Sequence, residues 1–320
     1  MGINTVADVG EDGLVQYIQR YVSGDARVVV GIGDDAALVQ AIAPAAVLTT
    51  DMLVEDIDFK FAWATWADVG HKAAAVNLSD LAAMGARPRG LLLSLALRPH
   101  DHVLDVMRLV STLAKVGARY GAPLVGGDLS KIGGPVVVSV TAIGEVDPKR
   151  ALRRYGGELG DVIMVSGTLG AAAVGLAALQ QGMRRSRVAQ RLLRPQPQVE
   201  LGMAFAQADI IKSAADISDG LARDAYHVVK RGYGIAFDYD ALPIAASTRR
   251  LAAKLRGDPV KLAVEGGEDF ELVVAVARKD IEAAQELAAR HGTTLTVVGE
   301  VTRARGNTRV YQAFDHFRTA

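Results

Sequence analysis

The sequence predicts an α/β or α+β protein of two domains, and three observations support this prediction. With 320 residues, the chain is long enough for two domains of ordinary size. Runs typical of β-strands alternate with helical runs in both halves, which is the pattern of mixed architectures. The alternation pauses around Asp147–Pro148, so we place the boundary near residue 148 and expect domains of residues 1–148 and 149–320.

Local patterns assign each element of the first half. Short runs of β-branched and other apolar residues are typical of strands. Of two helical runs, one is rich in alanine and is followed by Gly85 and Pro88, and the other has helical apolar spacing and stops at Gly121. The predicted order is strand Arg27–Gly31, strand Ala46–Thr50, helix Asp68–Met84, strand Leu91–Leu97, helix Val103–Tyr120, strand Pro123–Val125 and strand Val136–Gly144.

The second half repeats this alternation. A run of small residues predicts a tightly packed helix, and a later helix is expected to begin at Leu221. A basic stretch lies between them, and it favours an exposed helix face over a surface that steers anions; its members are Arg184, Arg185, Arg187, Arg191 and Arg194. The predicted order is strand Asp161–Ser166, helix Thr168–Leu179, strand Ala214–Ile217, helix from Leu221, and strands Ile235–Asp238, Leu272–Val276 and Leu295–Val298.

The composition excludes several classes of protein. Lys plus Arg and Asp plus Glu both number 36, so no basic field suggests nucleic acid or an anionic membrane as a partner. The absence of cysteine excludes disulfides and thiolate catalysis, and the six scattered histidines form no HExxH zinc motif. The N-terminus does not resemble a signal peptide, and no apolar run approaches the ~20 residues of a membrane span. We therefore expect a soluble, cytoplasmic protein.

The stretch LTTDMLVEDIDF, Leu48–Phe59, concentrates acidic residues after a predicted strand. It contains Asp51, Glu55, Asp56 and Asp58 and has no Lys or Arg of its own. Like charges this close repel one another and raise each other's pKa unless something neutralises them. A solvated acidic loop is one interpretation, and a cation site is the other.

Further carboxylates recur beside glycines at the ends of predicted elements. Any one of them can be a helix cap or a turn residue, but their number favours a shared role. Carboxylate oxygens are hard ligands that suit Mg²⁺, which usually retains waters and substrate phosphates. The pattern therefore predicts divalent cations together with a polyphosphate. The additional residues are Asp34, Asp35, Asp80, Asp128, Asp216, Asp219, Glu268 and Asp269.

Two short motifs compete as phosphate sites. Gly31–Ala36 fits the dinucleotide fingerprint GxGxxA, but its two aspartates would repel a pyrophosphate directly. Neither a P-loop nor the protein-kinase motifs occur in the sequence. Gly126, Gly127 and Asp128 follow a predicted strand and combine close backbone approach with a metal-type carboxylate. This motif can hold a nucleotide, although a simple tight turn has the same pattern.

Six motifs resemble, in order, those of the thiamine-monophosphate kinase family of the aminoimidazole ribonucleotide synthetase-like superfamily. The resemblance extends from about Asp12 to the C-terminal AFDHF, and the combination is much more specific than any single motif. It implies two α/β domains and a homodimer in which the two N-terminal domains form a β-barrel. The motifs are GIGDDAAL, TTDMLVE, GHKAAAVNLSDLAAMGARP, LVGGDLS, DISDGLARD and GGEDFEL.

The resemblance also implies an activity and a set of site residues. The reaction is ATP plus thiamine monophosphate giving ADP plus thiamine diphosphate by direct in-line transfer, with several Mg²⁺ ions. Residues 1–148 would bind ATP and Mg²⁺ and dimerise, and residues 149–320 would complete the nucleotide and substrate site. The implied magnesium set is Asp34, Thr49, Thr50, Asp51, Asp80, Asp128, Asp216 and Asp219. The implied ATP contacts are Gly127, Asp128, Arg154 and Ser218, and the implied substrate contacts are Glu268 and Phe314.

Asp58 departs from the family pattern, which often has histidine there. A carboxylate cannot donate a hydrogen bond to phosphate, but it can attract the thiazolium ring or accept from the aminopyrimidine. We therefore predict that Asp58 binds the thiamine end of the substrate. No nucleophile or general base is assigned, because the acceptor phosphate is already ionised near neutral pH. The alternatives are another ATP-dependent enzyme of the superfamily and a non-catalytic Mg-nucleotide-binding module.

Overall fold

The computed structural model describes residues 5–22, 28–30, 38–39, 44–183 and 186–303. The chain divides into two compact units. The first unit comprises Met1–Leu81 and Arg87–Asp147, and the second comprises Ala82–Ala86 and Pro148–Ala320. The residues named in the sequence analysis that lie outside the described part of the chain are Arg27, Gly31, Asp34, Asp35, Ala36, Arg184, Arg185 and Phe314.

The first unit contains helices and strands in alternation. The predicted strand Ala46–Thr50 continues to residue 54, and the predicted helix Val103–Tyr120 is confirmed to within one residue. The elements are α1 (Val6–Tyr21), β1 (Val28–Val30), β2 (Leu38–Val39), β3 (Ala46–Val54), α2 (Trp66–Ala83), β4 (Arg87–Leu97), α3 (Val103–Arg119), β5 (Leu124–Lys131) and β6 (Val137–Glu145).

Four strands of the first unit form a sheet in the order β3-β6-β4-β5. Strands β4 and β5 are parallel, and the other neighbours in this sheet are antiparallel. Because side chains alternate along a strand, one face of β6 presents the buried Val138, Val140 and Ala142. On the other face, Leu48 and Met52 of β3 have relative exposures of 68% and 59%. One face of the sheet is thus covered and the other is open.

The helices of the first unit pack closely because small residues stand at their contacts. An added Cβ on Gly70 of α2 would lie 2.2 Å from the carbonyl oxygen of Leu109 in α3. On Gly117 of α3 it would lie 2.7 Å from a methyl carbon of Leu91 in β4. Helix α1, which the sequence analysis did not predict, begins with a capping box in which Thr5 and Asp8 exchange hydrogen bonds.

The second unit contains the remaining strands and helices. The predicted strand Leu272–Val276 is confirmed, whereas the helix predicted from Leu221 is only one α-turn followed by a 3₁₀ turn at Ala225–His227. The elements are β7 (Val162–Ser166), α4 (Ala171–Gln180), α5 (Ala189–Leu193), α6 (Val199–Ala208), β8 (Ile211–Asp216), α7 (Leu221–Asp224), β9 (Gly234–Phe237), α8 (Ala246–Lys254), α9 (Pro259–Glu265), β10 (Leu272–Val276), α10 (Ile281–Arg290) and β11 (Leu295–Thr302).

The sheet of the second unit has the order β8-β10-β7-β11-β9, with antiparallel neighbours throughout. Every residue of β7 and β10 is buried, so both faces of the central strands are covered. This explains their continuous apolar sequences, since a strand with one solvated face would alternate. Within the described residues, no helix has the length and apolarity needed to cross a membrane.

Candidate functional site

The acidic residues of the first unit gather where β3 faces helix α2. Thr49 and Asp51 project from the same face of β3, since they are two residues apart. The hydroxyl of Thr49 donates to Oδ2 of Asp80 at 2.5 Å. The backbone N–H of Asp51 donates to Oδ1 of Asn77 at 3.0 Å, and Asn77 is fully buried. Asn77 and Asp80, about one turn apart on α2, therefore bind β3 to this helix.

Asp58 belongs to the same group. Its Oδ2 accepts from the backbone N–H of Val54 at 2.7 Å, and its backbone carbonyl accepts from the ammonium of the buried Lys72 at 2.9 Å. These bonds fold the chain after β3 back toward the strand. We call Asp51, Asp58 and Asp80 the acidic cluster.

The electrostatics of the acidic cluster centre on Asp51. Burial raises the pKa of Asp51 to about 6, and repulsion from Asp80 and then from Asp58 adds to the increase. Each cause disfavours the charged form of the carboxyl group. A bound cation would offset the effects of burial and of repulsion by giving the carboxylates a counter-charge. The repulsion predicted from the sequence is thus present at Asp51.

Other residues of the acidic stretch have different surroundings. The stretch has no Lys or Arg of its own, but Glu55 lies 3.1 Å from the guanidinium of Arg98 and accepts from the backbone N–H of Val136 at 2.9 Å. Arg98 is distant in sequence and becomes a partner only through the sheet. Asp56 is exposed, as the solvated-loop interpretation expects.

Thr50 and Asp128 do not join the acidic cluster within this chain. The hydroxyl of Thr50 lies on the opposite face of β3 from Asp51 and donates to the carbonyl of Val140 at 3.0 Å. Asp128 is exposed on β5, the opposite edge of the sheet from β3, with β6 and β4 between them. Within this chain, the implied magnesium ligand Asp128 is therefore separated from the ligands Thr49, Asp51 and Asp80.

The Gly126-Gly127-Asp128 motif lies inside β5, so the expectation that it follows a strand is wrong. Gly127 pairs with Leu93 of β4. A Cβ on Gly127 would come 1.8 Å from the carbonyl oxygen of Leu93, so this position admits only glycine. Gly127 is also exposed.

The donor set fits Mg²⁺ only as part of a larger coordination shell. Carboxylate and hydroxyl oxygens are the ligands this ion prefers, and one or two carboxylates commonly suffice. Among the described residues, no three Asp, Glu or His side chains lie close enough to hold a metal ion by themselves. The remaining ligands would have to come from water, phosphate oxygens or residues outside the described ranges, such as Asp34.

The second unit presents a loop at the end of β8, residues 216–220. Asp216 is buried at the end of that strand, in register with Leu272 of β10. One oxygen of Asp224, Oδ2, accepts from the backbone N–H groups of Ser218, Asp219 and Gly220 at 2.9, 2.9 and 3.0 Å. A single carboxylate therefore fixes the 216–220 loop.

The pKa of Asp224 is raised to about 6, mainly by burial, with a contribution from Asp219. The three backbone hydrogen bonds act in the opposite direction, since they favour the charged form. Asp219 itself is partly exposed and lies 3.0 Å from the guanidinium of Arg223. The 216–220 loop therefore carries the partly exposed carboxylate of Asp219, and its backbone N–H groups are bound by Asp224.

Arg154 acts electrostatically on His227, which lies beside Asp224. Burial lowers the pKa of His227, and the positive charges of Arg154 and Arg223 lower it further. His227 Nδ1 is 3.9 Å from Asp224 Oδ1. Arg153 instead donates to the carbonyl of Pro148 at 3.3 Å. Both arginines are exposed, and of the two it is Arg154 whose charge acts on His227 beside this loop.

Glu268 adjoins the 216–220 loop through its backbone. Its N–H donates to the carbonyl of Ser218 at 2.8 Å, and an added Cβ on Gly267 would lie 2.1 Å from the same oxygen. The structure thus brings an implied substrate residue against an implied ATP residue. Phe314, the other implied substrate residue of this half, is outside the described residues.

Sequence reasoning missed several residues that shape these sites. Asp224 was visible in the motif DISDGLARD but had no assigned role, and its position five residues after Asp219 is the available signal. The basic stretch was interpreted as an exposed face, whereas Arg191 lies 2.9 Å from the buried Glu271. Long-range ion pairs of this kind leave no local pattern in a sequence.

Comparison with known proteins gives consistent matches along the chain. A sequence model of the N-terminal domain of AIR synthase related proteins matches residues 33–146, and one of the C-terminal domain matches residues 158–312. The thiamine-monophosphate kinase of Mycobacterium tuberculosis is 37% identical over 273 residues, which cover 84% of this chain and 81% of the relative.

Two solved structures share the fold over nearly the whole chain. The thiamine-monophosphate kinase of Stenotrophomonas maltophilia is similar with a TM-score of 0.82 and 36% identity, covering 92% of this chain and 94% of that chain. AaThiL complexed with AMPPCP and TMP is similar with a TM-score of 0.77 and 29% identity, covering 97% of each chain.

Proposed function

This chain belongs to the AIR synthase related family and, within it, to the thiamine-monophosphate kinases, and we propose that it moves the γ-phosphate of ATP in line onto thiamine monophosphate. The products are ADP and thiamine diphosphate. The similar structure of AaThiL with AMPPCP and TMP supports this choice of substrates. We infer a cytoplasmic location for the protein, since the proposed reaction uses ATP and Mg²⁺.

The observation that carries the proposal is the electrostatic state of Asp51. Burial, Asp80 and Asp58 together disfavour its negative charge in the protein alone. An anionic site that is costly without a counter-ion suits a cation-dependent reaction between anionic phosphates. Asp51 and Asp80 would hold the ion, with the hydroxyl of Thr49 orienting Asp80. When bound, Mg²⁺ would neutralise the phosphates and align them for transfer.

The remaining roles divide between the two units. The backbone at Gly127 and the side chains of Arg154 and Ser218 would contact ATP. Asp58, Glu268 and Phe314 would contact thiamine monophosphate. Additional metal ligands would be Asp34, Thr50, Asp128, Asp216 and Asp219.

The residues of this chain orient the reactants, and none attacks the phosphate. Asp224 keeps the 216–220 loop in one conformation, so that the Ser218 and Asp219 side chains are held before substrate arrives. Pre-organised charges of this kind are effective because they need no rearrangement during the reaction. The acceptor phosphate is ionised near neutral pH, so the reaction needs no general base.

Among the described residues, the four-stranded sheet of the first unit has one open face and two edge strands, and a homodimer would account for both. Leu48 and Met52 are exposed on that face, and β3 and β5 are the edge strands of its sheet. Exposed apolar edges favour pairing with another chain. If two sheets close into a barrel with β3 of one chain beside β5 of its partner, the strand that carries Asp51 would lie beside the strand that carries Asp128 of the partner subunit. A site built from both strands would then draw on both chains.

A direct assay tests the proposed function. Purified protein is incubated with ATP, Mg²⁺ and thiamine monophosphate, and thiamine diphosphate and ADP are measured by chromatography. We expect equal amounts of both products, dependent on added Mg²⁺. ADP formation without thiamine diphosphate would indicate another ATP-dependent enzyme of the family. ATP binding without turnover of either substrate would indicate a binding module.

A further inference from the structure

The turn formed by residues 266–271, between α9 and β10, has an unusual backbone. Glu268 has φ of 65° and Phe270 has φ of 51°. Left-handed backbone is unfavourable for residues other than glycine, and it persists only where surrounding contacts impose it. Two such residues on either side of Asp269 therefore require an explanation.

Backbone hydrogen bonds fasten the 266–271 turn to the 216–220 loop. The N–H of Glu268 donates to Ser218 O at 2.8 Å, and the N–H of Phe270 donates to Ile217 O at 2.9 Å. The N–H of Ile217 donates in return to Glu271 O at 2.8 Å. These bonds determine where the turn lies. None of the three involves Asp269, which lies between Glu268 and Phe270.

The side chain of Asp269 joins the 266–271 turn to a second element. Its relative exposure is only 6%, and its two oxygens accept from the backbone N–H groups of Gly170 and Ala172 at 2.7 and 3.3 Å. These groups open helix α4, where unpaired N–H groups favour a carboxylate. A residue almost one hundred positions away thus caps this helix.

The neighbouring Glu271 is equally constrained. It accepts from the hydroxyl of Ser166 at 2.6 Å, from Arg191 at 2.9 Å and from Gln198 at 2.9 Å. Its side chain is therefore committed to the interior of the second unit. Asp269 and Glu271 are thus both anchored, and the half-buried Glu268 directly precedes Asp269 in the turn.

We propose that Asp269 is a positioning residue, which holds Glu268 in the left-handed conformation that aims its carboxylate at the thiamine moiety of the acceptor. This inference rests on the proposed function, in which Glu268 contacts thiamine monophosphate. Asp269 itself touches no substrate. It acts by joining the 266–271 turn to the start of α4, so its loss releases the turn.

Steady-state kinetics of Asp269→Ala test the proposal. We expect the KM for thiamine monophosphate to rise at least tenfold and the KM for ATP to change less than threefold, because Asp224 holds Ser218 independently. Asp269→Asn retains one acceptor oxygen and should raise the first KM only two- to threefold. Asp258→Ala is the matched control, since Asp258 caps α9 through Val260 and Lys261. It removes a helix-capping carboxylate and should leave both KM values unchanged.

A double-mutant comparison distinguishes positioning from a general loss of structure. If Asp269 acts through Glu268, Asp269→Ala should add less than a twofold change in KM to Glu268→Gln. Multiplying effects would overturn the proposal, as would a folded Asp269→Ala enzyme with a normal KM for thiamine monophosphate. If the alanine variant does not fold, Asp269→Asn replaces it, and its two- to threefold rise in the KM for thiamine monophosphate should disappear in the Glu268→Gln background. Wild-type enzyme that does not phosphorylate thiamine monophosphate would instead refute the proposed function.

Discussion

Thr49 donates a hydrogen bond of 2.5 Å to Oδ2 of Asp80, and this bond joins strand β3 to helix α2 across 31 residues of sequence. A hydroxyl that donates to a carboxylate fixes the direction of the charge and stabilises its ionised form. The charge of Asp80 also helps to raise the pKa of Asp51. The pair therefore sets the orientation of the acidic cluster.

Asp80→Asn should abolish most of the phosphoryl transfer. The substitution keeps the size of the side chain and an acceptor for Thr49 but removes the charge expected to hold the cation. We expect kcat to fall at least ~100-fold, the scale of losing one major electrostatic contributor, with the unfolding temperature nearly unchanged. Asp56→Asn is the control, because Asp56 is exposed and outside the cluster. Near-normal turnover of Asp80→Asn at saturating Mg²⁺ would exclude Asp80 from the site.

Asp58→Asn should affect the acceptor substrate. Asparagine can still accept from the N–H of Val54, so the turn after β3 is expected to survive. Losing one charge-assisted hydrogen bond costs about 1.5 to 3 kcal/mol, so the KM for thiamine monophosphate should rise at least several-fold. The KM for ATP and the magnesium dependence should hardly change. An unchanged acceptor KM with a shifted magnesium optimum would place Asp58 among the metal ligands.

Asp51→Asn should change the pH dependence of stability. The pKa of Asp51 is raised from 3.8 to about 6 in the folded protein. The unfolded chain therefore loses its proton first, and wild type loses stability as pH rises through this window. Without Mg²⁺, wild type should lose on the order of 1 to 3 kcal/mol relative to Asp51→Asn between pH 4 and pH 7.

Urea unfolding of both proteins at several pH values measures this difference. Added Mg²⁺ should stabilise wild type at pH 7.5 and have a smaller effect on Asp51→Asn, since ligands stabilise the state that binds them. A pH-independent difference between the two proteins would show that Asp51 titrates normally. Equal stabilisation by Mg²⁺ would place the ion elsewhere.

The sequence predicted most of the central strands because their apolar patterns are local. Strands β7 and β10 are buried throughout, and their continuous apolar runs show this. Helix α1 was missed because glycines and acidic residues interrupt its apolar spacing, and only the capping box of Thr5 and Asp8 marks its start. The extension of β5 through Gly127 depends on β4, which no local pattern reveals.

The candidate site was predicted in part for the same reason. Carboxylates such as Asp51 and Asp80 can be recognised in the sequence by their residue type and the motifs that carry them. Their partners, such as Arg98 for Glu55 and Arg191 for Glu271, are 43 and 80 residues away in the sequence. Such pairs exist only once the chain has folded. The separation of Asp51 from Asp128 likewise follows from strand order, not from either motif.

That separation gives a prediction about the dimer, which mixed-subunit complementation can test. Asp51→Asn and Asp128→Asn homodimers should each be nearly inactive. If β3 pairs with β5 of the partner subunit, a mixed dimer has one site that retains both aspartates and one that lacks both. Random assembly after co-expression makes half of the dimers mixed, so about a quarter of wild-type activity should return in a symmetric dimer.

The control for this experiment is co-expression of two differently tagged Asp51→Asn chains, which should regain nothing. Tandem purification through both tags isolates the mixed dimers, whose activity should then approach about half that of wild type. Mixed dimers that remain inactive would show that Asp51 and Asp128 act within the same chain. A stable monomer at micromolar concentration in sedimentation would reject the barrel itself, because Leu48 and Met52 would then stay exposed to solvent.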